Sequence, residues 1–272
     1  MSAFSLDFAG ISQVGKRSSN QDAFVAKQLT SDVYLFAVAD GMGGAAGGEL
    51  ASAIVIESLE QAIQERLDIL YDDPNGMRLV FGFAIDHIQK QLANQIDQDY
   101  SLNGMGSTLT ALLITENQFV TCNIGDSRIY LRTEERLVQL TKDHSYVQEM
   151  MNKLEAHEIT AEFIAKHENI ITRVLNGGSD IADISENHTF DFSSNNFYQF
   201  LLCSDGLILD KRAAPNYIED ILRESEGKLN DDCIRLSNHA FYNGSSDNIT
   251  CVLLSAEKKD AIATIPNNSS VE

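Results

Sequence analysis

The chain has 272 residues, with 20 Lys and Arg against 40 Asp and Glu, giving a formal net charge of −20. Hydrophobic residues make up 43%, and Pro and Gly number only 3 and 17, which excludes disordered, Pro-rich and collagen-like classes. Without a basic stripe beyond pairs such as Lys16-Arg17, so acidic a chain is repelled by nucleic acid and by anionic membrane surfaces.

This length suits one large domain or two small ones. No apolar run approaches the roughly 20 residues of a membrane helix, and Met1 to Gly10 lacks a secretory pattern. The cysteines Cys122, Cys203, Cys233 and Cys251 form no C-x-x-C pair and lie mostly in apolar runs. They read as buried free thiols rather than zinc ligands, and the expected location is the cytoplasm.

Phe4, Leu6 and Phe8 alternate as a first strand, Phe24 to Lys27 gives a second, and Val33 to Ala39 reads as a strand buried on both faces. A glycine cluster, Gly41 to Gly48, leads into a helix whose stripe is Val55, Leu59, Ile63, Leu67 and Leu70. Asp72 to Gly76, with Pro74, breaks it. A second helix follows with Phe81, Ile85, Ile88, Leu92 and Ile96, and the two should pack side by side on one sheet face. Ser107 to Ile114 reads as a strand; Phe119 to Ile124 and Ile129 to Arg132 read as a hairpin around Gly125 to Arg128, and Leu137 to Leu140 as a further strand. Val147, Met150, Met151 and Leu154 mark a short helix, and Thr160 caps another running to His167. Phe197 to Cys203 is a strand ending at Ser204-Asp205-Gly206. Pro215 opens a short helix, Leu229 to Ala240 form the last one, stopped at Asn243-Gly244, and Ile249 to Leu254 is the final strand. The order is not the strict alternation of a parallel sheet. It predicts antiparallel sheets with helices outside.

Several aspartates stand where the chain enters or leaves an apolar run: Asp22, Asp40, Asp126, Asp205 and Asp247. Singly, each reads as a turn residue that bonds nearby amides. Gathered together, such carboxylates repel unless a cation neutralises them, and hard oxygen donors suit Mg²⁺ or Mn²⁺. Two such ions about 4 Å apart can activate a hydroxide near neutral pH. The Gly41–Gly48 run lacks a G-x-x-x-x-G-K-[ST] phosphate loop, and its small residues are expected to let the backbone approach the metals.

The motifs, in order, are Arg17-Ser18-Ser19-Asn20-Gln21-Asp22, Val38-Ala39-Asp40-Gly41-Met42-Gly43-Gly44, Gly106-Ser107-Thr108, Asn123-Ile124-Gly125-Asp126-Ser127-Arg128, Leu140-Thr141-Lys142-Asp143-His144-Ser145, Leu202-Cys203-Ser204-Asp205-Gly206-Leu207 and Ser246-Asp247-Asn248-Ile249-Thr250. Their series resembles the bacterial PP2C (PPM) family of metal-dependent Ser/Thr protein phosphatases over residues 5–255. The resemblance implies an α+β sandwich, two packed antiparallel sheets flanked by helix pairs, with a helical flap inserted at about 145–175. The phosphatase domain would span residues 1–256, and a polar tail 257–272.

The resemblance also implies direct attack of a metal-bridging hydroxide on phosphoserine or phosphothreonine. Asp40 would bridge both metals and the Gly41 carbonyl would bind one. Asp205 and Asp247 would hold the other, while Asp22 would hold metal-bound waters or bind directly. Asp126 with Asp205 matches a pair that holds a third, weaker ion. Arg17 would grip the phosphate as a fork, and Asn248 would orient its neighbour. Glu49 would complement the positive end of the first helix. His144 reads as structural. Many bacterial members carry a histidine where this chain has Ala45, and eukaryotic members carry one where it has Met42. Leaving-group protonation by water is then expected, with slower turnover of phosphoserine than of aryl phosphates.

The leading expectation is a Mg²⁺- or Mn²⁺-dependent phosphatase, monomeric, acting on phosphoproteins and opposing a bacterial Ser/Thr kinase. The alternative is a catalytically weak binding or signalling module of the same fold. A two-metal nuclease is disfavoured by the charge.

Overall fold

The computed structural model describes residues 4–73, 75–115, 118–134, 136–153, 159–178, 185–189, 197–210 and 216–258. In chain order the strands and helices are β1 (Phe4–Gln13), β2 (Asp22–Gln28), β3 (Tyr34–Met42), α1 (Gly44–Gln64), α2 (Ile69–Asp72) and α3 (Gly76–Gln98). Next come β4 (Gly106–Ser107), β5 (Leu109–Ile114), β6 (Gln118–Ile124), β7 (Arg128–Arg132), β8 (Leu137–Gln139), α4 (Tyr146–Met151) and α5 (Ala161–His167). The chain closes with β9 (Ser185–Thr189), β10 (Phe197–Cys203), α6 (Asn216–Arg223), α7 (Leu229–Tyr242) and β11 (Ile249–Lys258).

The strands form two sheets, β1-β11-β10-β7-β8 and β2-β3-β5-β6-β9, with the short β4 paired to the end of β3. Every pairing is antiparallel. Strand periodicity explains the three-layered core. In β3, Phe36 and Val38 face the opposite sheet, where they meet a cluster containing Phe200, Leu202, Val252 and Leu254. Leu35, Ala37 and Ala39 of the same strand point the other way, into a cluster with Val55, Leu59 and Ile63 of α1 and Phe81, Ile88 and Leu92 of α3. On the far side, Leu201, Cys203, Cys251 and Leu253 pack under Ile218 and Leu222 of α6 and Cys233 and Leu236 of α7. The expected sandwich with helix pairs outside is thus present, and all four cysteines are buried free thiols.

Four local expectations are corrected. The strands around Gly125 do not form a hairpin. β6 pairs with β5 and β9 in one sheet, whereas β7 pairs with β10 and β8 in the other. Residues 125–127 are therefore a crossing between sheets. It is fixed by bonds made elsewhere: the Gly125 N–H donates to His144 Nδ1 (3.2 Å), and the His144 N–H donates to the Gly125 carbonyl (2.8 Å). The first helical stripe is broken as well. α1 ends at Gln64 with Glu65 as its cap, and Leu70 belongs to the separate α2. β9, of sequence SENHT, is not among the expected strands, because it carries no apolar alternation. Its pairing with β6 and the stacking of His188 on Phe119 (centroids 4.8 Å apart) place it. Finally, Glu49 is not in the first turn of α1, which holds no acidic residue, so it does not complement that helix end.

β11 runs on to Lys258, pairing Glu257 with Ser5 and Phe197, past the expected domain end at residue 256. Thr160 caps α5 as expected, accepting from the Phe163 N–H at 3.1 Å. Pro74, Leu154, Pro215 and the tail from residue 259 lie outside the described residues, as does the side chain of Ala45.

Candidate active site

The expected site residues meet where both sheets end on the same side. Asp40 sits near the end of β3 and is clasped by the strand beyond it. Its N–H donates to Thr108 Oγ1 (2.9 Å), and its carbonyl accepts from the Thr108 N–H (2.8 Å) and Ser107 Oγ (3.1 Å). Its carboxyl group is left to face the cleft. Asp22 lies directly opposite Asp40 in the β2–β3 register and is 9% exposed. Its Oδ2 accepts from Ser204 Oγ at 2.7 Å, across a sequence separation of 182 residues. Ser204 is in turn held by the Thr250 N–H, which donates to its Oγ at 3.1 Å. Asp205 begins the 3-10 turn that follows β10. Asp126 is buried in the inter-sheet crossing, beside Ser127, whose Oγ shares a 2.9 Å hydrogen bond with Thr108 Oγ1.

Asp247 precedes β11, and its Oδ1 accepts from the Asn248 N–H at 2.8 Å. Its Oδ2 accepts from Arg17 Nη2 at 2.6 Å, while Arg17 Nε donates to the Ser246 carbonyl at 3.2 Å. Asn248 ties down the loop that carries Arg17. Its Nδ2 donates to the Val14 and Ser19 carbonyls, both at 2.8 Å, and its Oδ1 accepts from the Gln21 N–H at 2.9 Å. Asn248 therefore spends its amide on the backbone and positions its neighbours, as expected.

Arg17, Asp40, Gly41, Asp126, Asp205 and Asp247 all line one cleft of about 650 Å³. Asp22 stands behind them. The outer wall is Asn169, Ile170 and Ile171, which no motif singles out. No histidine lines this cleft among the described residues. His144 instead braces Gly125, and burial, with Arg173 nearby, holds its ring below the usual histidine range, which suits an acceptor Nδ1.

The glycine at position 41 is also required by packing. A Cβ there would fall 1.9 Å from the Gly48 carbonyl oxygen, so a side chain is excluded by the first turns of α1. Two motif residues not assigned a role, Arg128 and Asp143, form a buried ion pair with Nη2 2.7 Å from Oδ2.

The electrostatics of the cleft call for a cation. Burial, together with the charges of Asp205 and Asp247, pushes the Asp22 carboxyl up to about 7 despite its hydroxyl partners. Burial and the carboxylates of Asp22, Asp205, Asp126 and Asp247 drive Asp40 well above the ordinary range. Asp22 Oδ1 is buried with no hydrogen-bond partner. Among the described residues no three acidic, His or Cys side chains already close around one point. That is expected of like charges held apart, one of them turned to Arg17. Carboxylates and a backbone carbonyl are hard oxygen donors, so the residues present fit Mg²⁺ or Mn²⁺.

Comparison with known proteins agrees. The Protein phosphatase 2C family model matches residues 9–239. Protein phosphatase PhpP of Streptococcus pneumoniae is 34% identical over 259 residues, covering 94% of this chain and 100% of that protein. The catalytic domain of serine threonine protein phosphatase PstP, solved in complex with 2 manganese ions, superposes with a TM-score of 0.74 at 30% identity, covering 93% of this chain and 98% of that one. A bacterial serine phosphatase superposes with a TM-score of 0.81 at 28% identity, over 94% of this chain and 100% of that one.

The fold and the site define a metal-dependent protein serine/threonine phosphatase, with Mn²⁺ or Mg²⁺ as cofactor. The chain belongs to the protein phosphatase 2C family.

Proposed function

We propose that Asp40, the Gly41 carbonyl, Asp205 and Asp247 hold the two principal ions, with Asp22 supporting them from behind and Asp126 with Asp205 holding a weaker third. When bound, such ions neutralise the cleft and lower the pKa of water to near neutrality. Arg17 is the one guanidinium lining the cleft among the described residues, and it takes two oxygens of the phosphoryl group as a planar fork. To do so it exchanges its partner, Asp247, for the phosphate. Asn248 keeps the Arg17 loop in register during that exchange.

The convergence of four aspartates and Arg17 on one cleft, with Asp22 behind them, carries this reading. The substrates are phosphoserine and phosphothreonine proteins, and the opposing enzyme is a bacterial Ser/Thr kinase. We further infer that the chain up to the end of β11 acts as one phosphatase domain, as a monomer in the cytoplasm. Among the described residues no helix is long and apolar enough to cross a membrane.

The test is phosphate release from a phosphothreonine peptide against Mn²⁺ concentration, for wild type, Asp40→Asn and Asp205→Asn. Metal-dependent release lost in both variants is expected. Folded variants that keep wild-type rates would overturn the ligand assignment. Absence of release from the wild type at millimolar Mn²⁺ would favour a binding module instead.

A further inference from the structure

The cleft wall formed by Asn169, Ile170 and Ile171 is anchored by backbone pairs on both sides, and beyond the second of these a single side chain on an outer helix adds a further hold. The near anchor is backbone. Ser145 and Ile171 form an antiparallel bridge, the Tyr146 N–H donates to the Ile170 carbonyl, and the Thr172 N–H donates to the His144 carbonyl, both at 2.8 Å. Further along, Leu175 and Ser107 exchange two backbone hydrogen bonds of 2.9 Å. Ser107 is the residue whose hydroxyl donates to the Asp40 carbonyl, so the wall and the carboxylate share a support.

Beyond Leu175 the segment meets α3. Gln89 Oε1 accepts from two consecutive amides, the Asn176 N–H at 3.1 Å and the Gly177 N–H at 2.8 Å. Gly177 lies flat on the helix, and a Cβ there would stand 2.9 Å from the Ala93 nitrogen. Without Gln89, these two amides lose their acceptor, and the Leu175–Ser107 pair is left to hold this end of the wall segment by itself. A cavity of about 310 Å³, bordered by Asp86, Lys90 and Gly178, opens beside this contact.

We propose that Gln89 is a positioning residue for substrate selection: its clamp on residues 176–177 sets the place of the Asn169–Ile171 wall, and thereby how a phosphorylated polypeptide seats over the cleft. The proposal rests on the phosphatase reading of the same cleft. A small aryl phosphate needs only the carboxylate-held ions and Arg17. A peptide also extends over the wall, where Ile170 is 45% exposed and offers an apolar contact. A wall displaced by even about an ångström then penalises the long substrate and spares the short one.

The experiment compares wild type, Gln89→Met and Gln89→Glu on a phosphothreonine peptide and on p-nitrophenyl phosphate, with hydrogen exchange followed over residues 170–178. Met has the length of Gln and no acceptor; Glu keeps the acceptor oxygens. The expected result for Gln89→Met is a rise in peptide KM of about fivefold, with kcat and the aryl phosphate kcat/KM within about twofold. The Gly177 amide exchanges faster, and Gln89→Glu restores both readouts. Equal losses on the two substrates, an unchanged peptide KM despite faster exchange, or failure of Glu to rescue would each overturn the clamp's role in selection. A wild type that cleaves neither substrate would instead sink the phosphatase reading, and the selection role with it.

Discussion

Replacing Asp143 with Asn isolates a buried charge. The side chains of Arg128 and Asp143 are 4% and 6% exposed. Arg128 Nε donates to Oδ1 at 2.9 Å and Oδ2 at 3.2 Å, Nη2 donates to Oδ2 at 2.7 Å, and Nη1 donates to Tyr130 Oη at 2.9 Å. Burial opposes the guanidinium's charge, yet Asp143 and Tyr130 hold it protonated even more firmly than usual. The Asp143→Asn change would remove the carboxylate that faces that buried cation across three hydrogen bonds. Breaking one partner of such a pair costs about 3–5 kcal/mol, because the remaining charge is uncompensated. At about 2–3 °C per kcal/mol for a domain of this size, Tm should fall by roughly 6–15 °C. Differential scanning calorimetry in Mn²⁺ and in EDTA measures it. The double variant Arg128→Met/Asp143→Leu should recover most of the loss, since an apolar pair needs no counter-charge. A single variant melting within about 3 °C of wild type, or a double variant no better than the single, would show that the Arg128 charge does not depend on Asp143.

Other outcomes follow from the same geometry. Asp22 and Asp40 carry folded-state pKa values raised above their unfolded ones, so their contribution to the metal-free protein is present below the ordinary carboxylate range and lost as pH rises, for Asp22 through about 7. The Tm gained from Mn²⁺ over EDTA should therefore grow from about pH 5.5 to about pH 8, and Asp22→Asn should flatten that growth; a pH-independent gain would contradict it. Arg17→Ala should lower kcat/KM on p-nitrophenyl phosphate by about 100-fold, as loss of one preorganised donor does, while calorimetric Mn²⁺ affinity holds or rises because Asp247 loses its competitor. Unchanged turnover would remove Arg17 from phosphate binding. Ala45→His should narrow the gap between phosphoserine and aryl phosphate turnover, since a proton donor helps the poorer leaving group most. An unchanged ratio would show that the missing histidine is not what limits the reaction.

Much of the architecture is legible in the chain because its signals are local. The dense apolar run at Val33 to Ala39 announces a strand buried on both faces, and the stripes through Val55 to Ile63 and Phe81 to Leu92 announce two helices that share one sheet. The motif series alone singles out Arg17, Asp22, Asp40, Gly41, Asp126, Asp205 and Asp247, and they meet around one cleft.

What the tertiary structure alone decided depends on partners far apart in sequence. Periodicity cannot say which sheet a strand joins, so the strands flanking Gly125 look like a hairpin although they serve opposite sheets. Polar β9 carries no pattern, and exists because β6 offers it an open edge. Asp22 answers to Ser204, Arg17 to Asp247, Asn248 to Val14 and Gln89 to Gly177. A hydrogen bond between residues so distant leaves no trace in either one's neighbourhood. It forms only when two sheets, each assembled from its own apolar alternation, bring their ends together.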